Sequence, residues 1–251
     1  MKVVAITSMK GGTGKTSTTA ALNAGLRRAG LRVLTIDADA QRNLSSMMGA
    51  KVQDVNTFYD VVTGRVVARN AIQRTPQGPI IAASASLTEK GILQGRNSEY
   101  RLRDALKPIA KDYDVCLIDT GPQLGTIVYA VLTAADGIIV PCKADRFSMD
   151  SLRMIAATVK GVQANSNKNL TVYGVLVTMY ERRLTVARLM RDELEAQAAA
   201  LGFHVYATPI RKAVAVEEAE ITGEDIFSAG KNNAAEDYGE IVKELLKQID
   251  H

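Results

Sequence analysis

Lys10-Gly11-Gly12-Thr13-Gly14-Lys15-Thr16 lies between a short apolar run, Val3-Val4-Ala5-Ile6, and a Pro-free, Ala- and Leu-rich run from Thr16 to Ala29. The first reads as a buried strand and the second as a helix. Strand, glycine loop, helix is the arrangement that a phosphate site needs. Glycines let backbone N–H groups turn inward without Cβ clashes. A helix starting at Thr16 adds unpaired donors and a partial positive charge. In this pattern Lys15 reaches the β- and γ-phosphates and the Thr16 hydroxyl ligates Mg²⁺. Gly11, Gly12, Thr13, Gly14, Lys15, Thr16 and Ser17 are therefore the candidate nucleotide-binding set. The standard motif asks for Gly where Met9 stands, and a second lysine, Lys10, occupies the front of the loop.

Working outward, strand-like and helix-like runs alternate, which predicts a single-domain α/β fold with a mostly parallel twisted sheet and helices on both faces. The expected strands are Val3–Thr7, Arg32–Ile36, Ile80–Ala83, Val115–Ile118, Gly137–Pro141, Tyr173–Val177 and His204–Thr208. The expected helices are Thr16–Ala29, Ser98–Ala110, Gly125–Ala134, Ser148–Ala164, Thr185–Ala200 and Ala234–Ile249. Between Ala50 and Gln77 the pattern is less regular, with one short helix at Thr57-Phe-Tyr-Asp-Val-Val.

Two apolar strands end in acids: Ile36-Asp37-Ala38-Asp39-Ala40-Gln41 and Leu117-Ile118-Asp119-Thr120-Gly121-Pro122. Carboxylates at the C-terminal ends of parallel strands fall beside the phosphate loop, where a Mg²⁺ site needs them. A lone acid there also serves as a helix cap; the nearby glycine loop favours the metal reading.

Lys10-Gly-Gly-Thr-Gly-Lys-Thr resembles the deviant Walker A box of the ParA/MinD family of P-loop ATPases. The resemblance implies ATP and Mg²⁺ as ligands and a homodimer in which Lys10 reaches the partner's nucleotide, as an arginine finger does elsewhere. The family carries Asp-x-Asp-Pro-Gln-Gly-Asn after its second strand. This implies that Asp39 orients the attacking water and that Asp37 lies near the metal shell. Ala40 and Arg42 stand where the family has Pro and commonly Gly. Asp112 to Pro122 resembles the Walker B segment, so Asp119 would hold the Mg²⁺ water shell. Gly121-Pro-Gln-Leu-Gly125 resembles the second switch, with Gly121 where Pro is usual. On this reading the catalytic set is Lys10, Lys15 and Asp39, and the metal set is Thr16, Asp37 and Asp119.

The chain's 251 residues suffice for one large domain. Cys116 and Cys142 sit in apolar runs without metal-ligand spacing and read as buried thiols of a reducing compartment. The chain opens on a strand rather than a basic-then-apolar leader, so the expected location is the cytoplasm; the resemblance implies nucleoid association in the ATP state. No helix-turn-helix segment precedes the first strand, so sequence-specific operator binding is not expected.

A net charge of +4 permits attraction to nucleic acid or anionic lipid. Three roles compete within the resembled family. Electron donation needs cysteines on loops bridging an iron–sulfur cluster, and both cysteines lie in expected strands. MinD-like membrane positioning needs a basic amphipathic tail with aromatics; Glu240 to His251 has acids on its basic face and reads as a packed helix. DNA partition needs clustered Lys and Arg. The family places these where Arg182, Arg183, Arg188, Arg211 and Lys212 stand, so they are the candidate contacts to non-specific DNA. Arg188 and Arg191 are three apart and share a helix face, while Ala187, Met190, Leu194 and Leu201 make the buried stripe. A ParB-type centromere-binding adaptor is the implied partner that stimulates hydrolysis, and no membrane is expected.

Overall fold

Strands covered by helices on both faces need apolar side chains on both faces, and the second and fifth strands are buried at every position. The computed structural model describes residues 1–88, 93, 95, 97–228, 230 and 232–249, with Phe147 described by its backbone alone. Its strands are β1 (Lys2–Ile6), β2 (Val33–Ala38), β3 (Ile72–Thr75), β4 (Gly78–Ile81), β5 (Val115–Thr120), β6 (Gly137–Lys143) and β7 (Thr171–Thr178). They form one sheet in the order β3-β4-β2-β5-β1-β6-β7, parallel throughout except for the β3–β4 hairpin.

The helices are α1 (Lys15–Arg28), α2 (Asn43–Met47), α3 (Phe58–Val62), α4 (Ala68–Ala71), α5 (Arg101–Leu106), α6 (Thr126–Ala134), α7 (Arg146–Asn165), α8 (Thr185–Ala200), α9 (Val214–Thr222) and α10 (Asn233–Ile249). One core packs α3, α5, α6, α7 and α8 on one face of the sheet. The other packs α1 and α10 on the opposite face, where Ile241, Leu245 and Ile249 are buried as the apolar stripe of the tail requires. Asp250 and His251 lie outside the described residues. Both cysteines are buried and unpaired, and burial raises both thiol pKa values.

Three expectations are corrected. His204–Thr208 does not form a strand: it makes a single bridge, Val205 to Val175. His204 and Tyr206 bond to Val175, but the chain bends at Ala207 and Thr208, and the next bond to β7 comes from Ile210. Conversely, Ile72–Thr75 is an edge strand inside the stretch read as irregular. Its Gln and Arg hide the apolar signature, as suits an edge. The expected helix Ser98–Ala110 is split into α5 between two 3₁₀ turns, Ser98–Tyr100 and Lys107–Ile109. Pro108 in the second turn removes an N–H that a continuous helix would use.

The contact between α1 and α10 is close. A β-carbon on Gly25 would stand 2.5 Å from Val242 Cγ2. Gly25→Ala gains roughly 1 kcal/mol of helix propensity but overpacks a buried face, which typically costs about 1–3 kcal/mol. The expected outcome is a net loss of about 1 kcal/mol in urea unfolding; a more stable variant would show that the contact gives way.

Candidate functional site

Parallel strands β2, β5 and β1 end side by side, and their last residues meet the glycine loop. Gly12 and Gly14 have φ of +67° and +78°, a backbone shape that side chains resist, so both glycines are required. Gly14 leads directly into α1 without a side-chain cap, which leaves the first-turn N–H groups available for an anion. A cavity of about 550 Å³ opens over this loop, lined by Gly12, Lys15, Thr16, Ser17, Asp39 and Met179 among others.

The charges on its floor are desolvated. Lys15 is 7% exposed, and its amine donates to the Lys10 carbonyl oxygen at 3.1 Å. Burial lowers its pKa, against the pull of Asp119 and Asp39. Asp119 is 1% exposed and accepts from the Thr16 hydroxyl at 2.7 Å through Oδ2, while its buried Oδ1 has no partner. Burial, then the neighbouring Asp37, holds its pKa well above the ordinary carboxylate value. A desolvated carboxylate with one oxygen unused, beside a hydroxyl, suits a hard cation that takes its remaining ligands from water and phosphate. In keeping with that, no cluster of three or more His, Cys, Asp or Glu among the described residues could cage a metal alone.

Asp37 and Asp119 are register partners on adjacent strands. Asp37 is fully buried and already engaged: Oδ2 accepts from the Ser45 N–H and hydroxyl, and Oδ1 from the Asp39 N–H. It braces the loop that carries Asp39 and does not line the cavity. Asp39 does, and its Oδ1 accepts from the Gln41 N–H at 3.0 Å. A β-carbon on Gly121 would stand 3.4 Å from Asp39 Oδ1, which places this turn against that carboxylate.

Lys10 lies at the front of the loop, its amine 2.6 Å from Asp145 Oδ2. Asp145 also caps α7, accepting from the Ser148 N–H. Burial alone would raise its pKa, but the Lys10 amine and Ser148 overrule this and hold the carboxyl below the ordinary value. Sequence reading missed Asp145, although Asp-x-x-Ser before an apolar run is a cap signal. It also missed Ser45, and Glu220 of α9, which accepts from the Ser17 hydroxyl; neither has a local signature.

The basic candidates divide. Arg182 and Arg183 are exposed ahead of α8, without an ion pair or hydrogen bond among the described residues. The exposed Arg188 guanidinium donates to the Thr185 hydroxyl at 3.3 Å and has no ion pair among the described residues. Arg211 is committed: its guanidinium bonds Asp237 at 2.6 and 2.9 Å and the Asn233 carbonyl at 3.1 Å. Lys212 is 3.5 Å from Glu181. Exposed Leu184, Val186 and Leu189 lie among the free arginines.

A family model described as an AAA domain matches residues 1–172. The chromosome partitioning protein ParA of Caulobacter vibrioides is 35% identical over 90% of this chain and 86% of its own length. The sporulation initiation inhibitor protein Soj of Bacillus subtilis is 31% identical over 97% of this chain and 98% of its own. Cobyrinic acid a,c-diamide synthase of Mycobacterium smegmatis, with bound ADP and magnesium, superposes with a TM-score of 0.86 at 29% identity, covering 100% of this chain and 96% of that one.

Two outcomes follow from this geometry. Arg42 stands at φ +61°, where L side chains cost about 1–2 kcal/mol. Arg42→Gly loses part of that gain to unfolded-chain entropy and should raise stability by about 0.5–1 kcal/mol in urea unfolding; a loss would mean that the arginine side chain outweighs the strain.

Burial, opposed by the Ser45 bonds, raises the Asp37 pKa from 3.8 to about 6. The folded chain therefore holds this proton more tightly than the unfolded chain does. The resulting stability is fully present below pH about 4 and is lost as pH rises through about 6, roughly 3 kcal/mol at most. Without nucleotide or magnesium, Asp37→Asn should gain on the wild type as pH rises from 4 to 7, and a constant difference would contradict the buried proton.

Proposed function

We propose, on the premise that the chain belongs to the ParA/MinD family of P-loop ATPases, that it is an ATP-hydrolysing DNA partition ATPase that binds ATP and Mg²⁺ on the glycine loop. The carrying observation is the unpartnered oxygen of desolvated Asp119, next to the Thr16 hydroxyl and close to buried Lys15. Those charges are incomplete until a cation and a phosphate chain join them.

Thr16 and Asp119 would hold the magnesium, directly or through water. A magnesium ion held there would supply positive charge against the phosphate oxygens. Lys15 and the loop amides bind and orient the phosphates. Asp39, placed by the Asp37 brace, orients the water that attacks the γ-phosphorus. Lys10 leaves Asp145 when two chains close face to face and then stabilises charge on the partner's phosphates. The closed dimer joins the two arginine surfaces into one DNA site. A centromere-binding adaptor stimulates hydrolysis, and loss of the γ-phosphate contacts opens the dimer and releases DNA.

The DNA surface centres on Arg182, Arg183 and Arg188, because Arg211 and Lys212 already face carboxylates of this chain. The membrane-positioning alternative has less support. α10 spends its apolar stripe on the core, and no helix among the described residues is long and apolar enough to cross a bilayer.

The test is retention of unrelated duplex DNA with a slowly hydrolysed ATP analogue. Replacing Arg182, Arg183 and Arg188 together with Ala should weaken retention more than tenfold and reduce the salt slope by up to about 3 per chain. Nucleotide affinity should not change. Undiminished retention would remove this surface from the proposal, and capture by anionic vesicles in place of DNA would favour the membrane role.

A further inference from the structure

A third lysine borders the phosphate loop. Lys143 is the last residue of β6 and pairs in register with Thr178 of β7. The Thr178 hydroxyl lies 2.8 Å from the Thr13 carbonyl oxygen and 3.2 Å from that of Cys142, donating to the nearer. The residue before Lys143 is thereby fixed against the glycine loop, and the lysine backbone cannot drift from it. Its amine leans onto the loop. The one atom that a β-carbon on Gly12 would meet within 4 Å is Lys143 Nζ, at 4.0 Å.

The amine is half-buried and has no carboxylate or hydrogen-bond partner among the described residues. Its neighbours are spoken for: Lys10 is ion-paired with Asp145, and Lys15 donates to the Lys10 carbonyl. Asp145 follows two residues after Lys143, but Lys10 takes its Oδ2 and Ser148 takes its Oδ1. An ammonium held beside the loop without a carboxylate partner can complete its hydrogen bonds with an anion. On the nucleotide reading, Thr16 and Ser17 at the helix start would hold the inner part of a phosphate chain, and Gly12, near the opposite end of the loop, would border its outer part.

We propose that Lys143 is a further phosphate-binding residue that contacts the terminal phosphate of a nucleoside triphosphate and sets the preference for triphosphate over diphosphate. The inference rests on the nucleotide reading of the loop given above. Lys143 acts in ground-state selection, as a charge-assisted donor to an oxygen that the diphosphate lacks.

Equilibrium binding of a non-hydrolysable ATP analogue and of ADP, each with magnesium, tests it on wild type, Lys143→Met and Lys143→Arg. Lys143→Met should weaken the triphosphate analogue about tenfold and leave ADP within about twofold, and Lys143→Arg should recover most of the loss. Equal weakening of both nucleotides, or a lowered Tm without a change in selectivity, would make Lys143 a brace for the loop and overturn the proposal. Unchanged affinities in a wild type that binds both nucleotides would overturn this inference alone. A wild type that binds neither would overturn the loop assignment with it.

Discussion

The contact between the Thr16 hydroxyl and the Asp119 carboxylate joins the two halves of this molecule's chemistry. One partner belongs to the first turn of α1, where helix donors collect anions. The other ends β5, at the centre of the sheet, where no water reaches its second oxygen. Placing a carboxylate there costs free energy. On the proposed function a bound cation would offset that cost, and nucleotide with magnesium would then raise the stability of the fold.

Three departures from the family pattern fall around Asp39. Gly121 packs against the Asp39 carboxylate. Arg42 accepts a left-handed backbone that glycine adopts without strain. Ala40 gives up the restraint of proline in the turn between them. The loop nevertheless stays ordered, because Asp37 gathers three donors from it. A buried carboxylate brace does here what a proline ring does through its fixed φ.

Helix α1 links this floor to the far side of the molecule. Ser17 bonds Glu220 of α9, Thr18 meets the Tyr238 hydroxyl of α10 at 3.2 Å, and Gly25 lets α10 approach. Arg211 and Asp237 pin the chain ahead of α9 to α10. Any ligand that engages Ser17 therefore competes with α9 for the same hydroxyl, while α10 stays fixed by its apolar stripe.

The sequence alone determined the strand–loop–helix around Lys10–Thr16, the parallel sheet and the acids at its strand ends. These depend on local chemistry: glycines at positive φ, apolar runs buried on both faces, and period-3.6 stripes such as Ile241, Leu245 and Ile249. Only the tertiary structure separated Asp37, which braces, from Asp39, which faces the cavity, since both sit at the end of one strand with the same side chain. Only it showed Arg211 spent on Asp237, Lys10 held by Asp145, and Lys143 leaning on Gly12. Those pairings span between 26 and 135 residues of chain. Periodicity and propensity carry no information over such a range, because the sheet order brings the partners together.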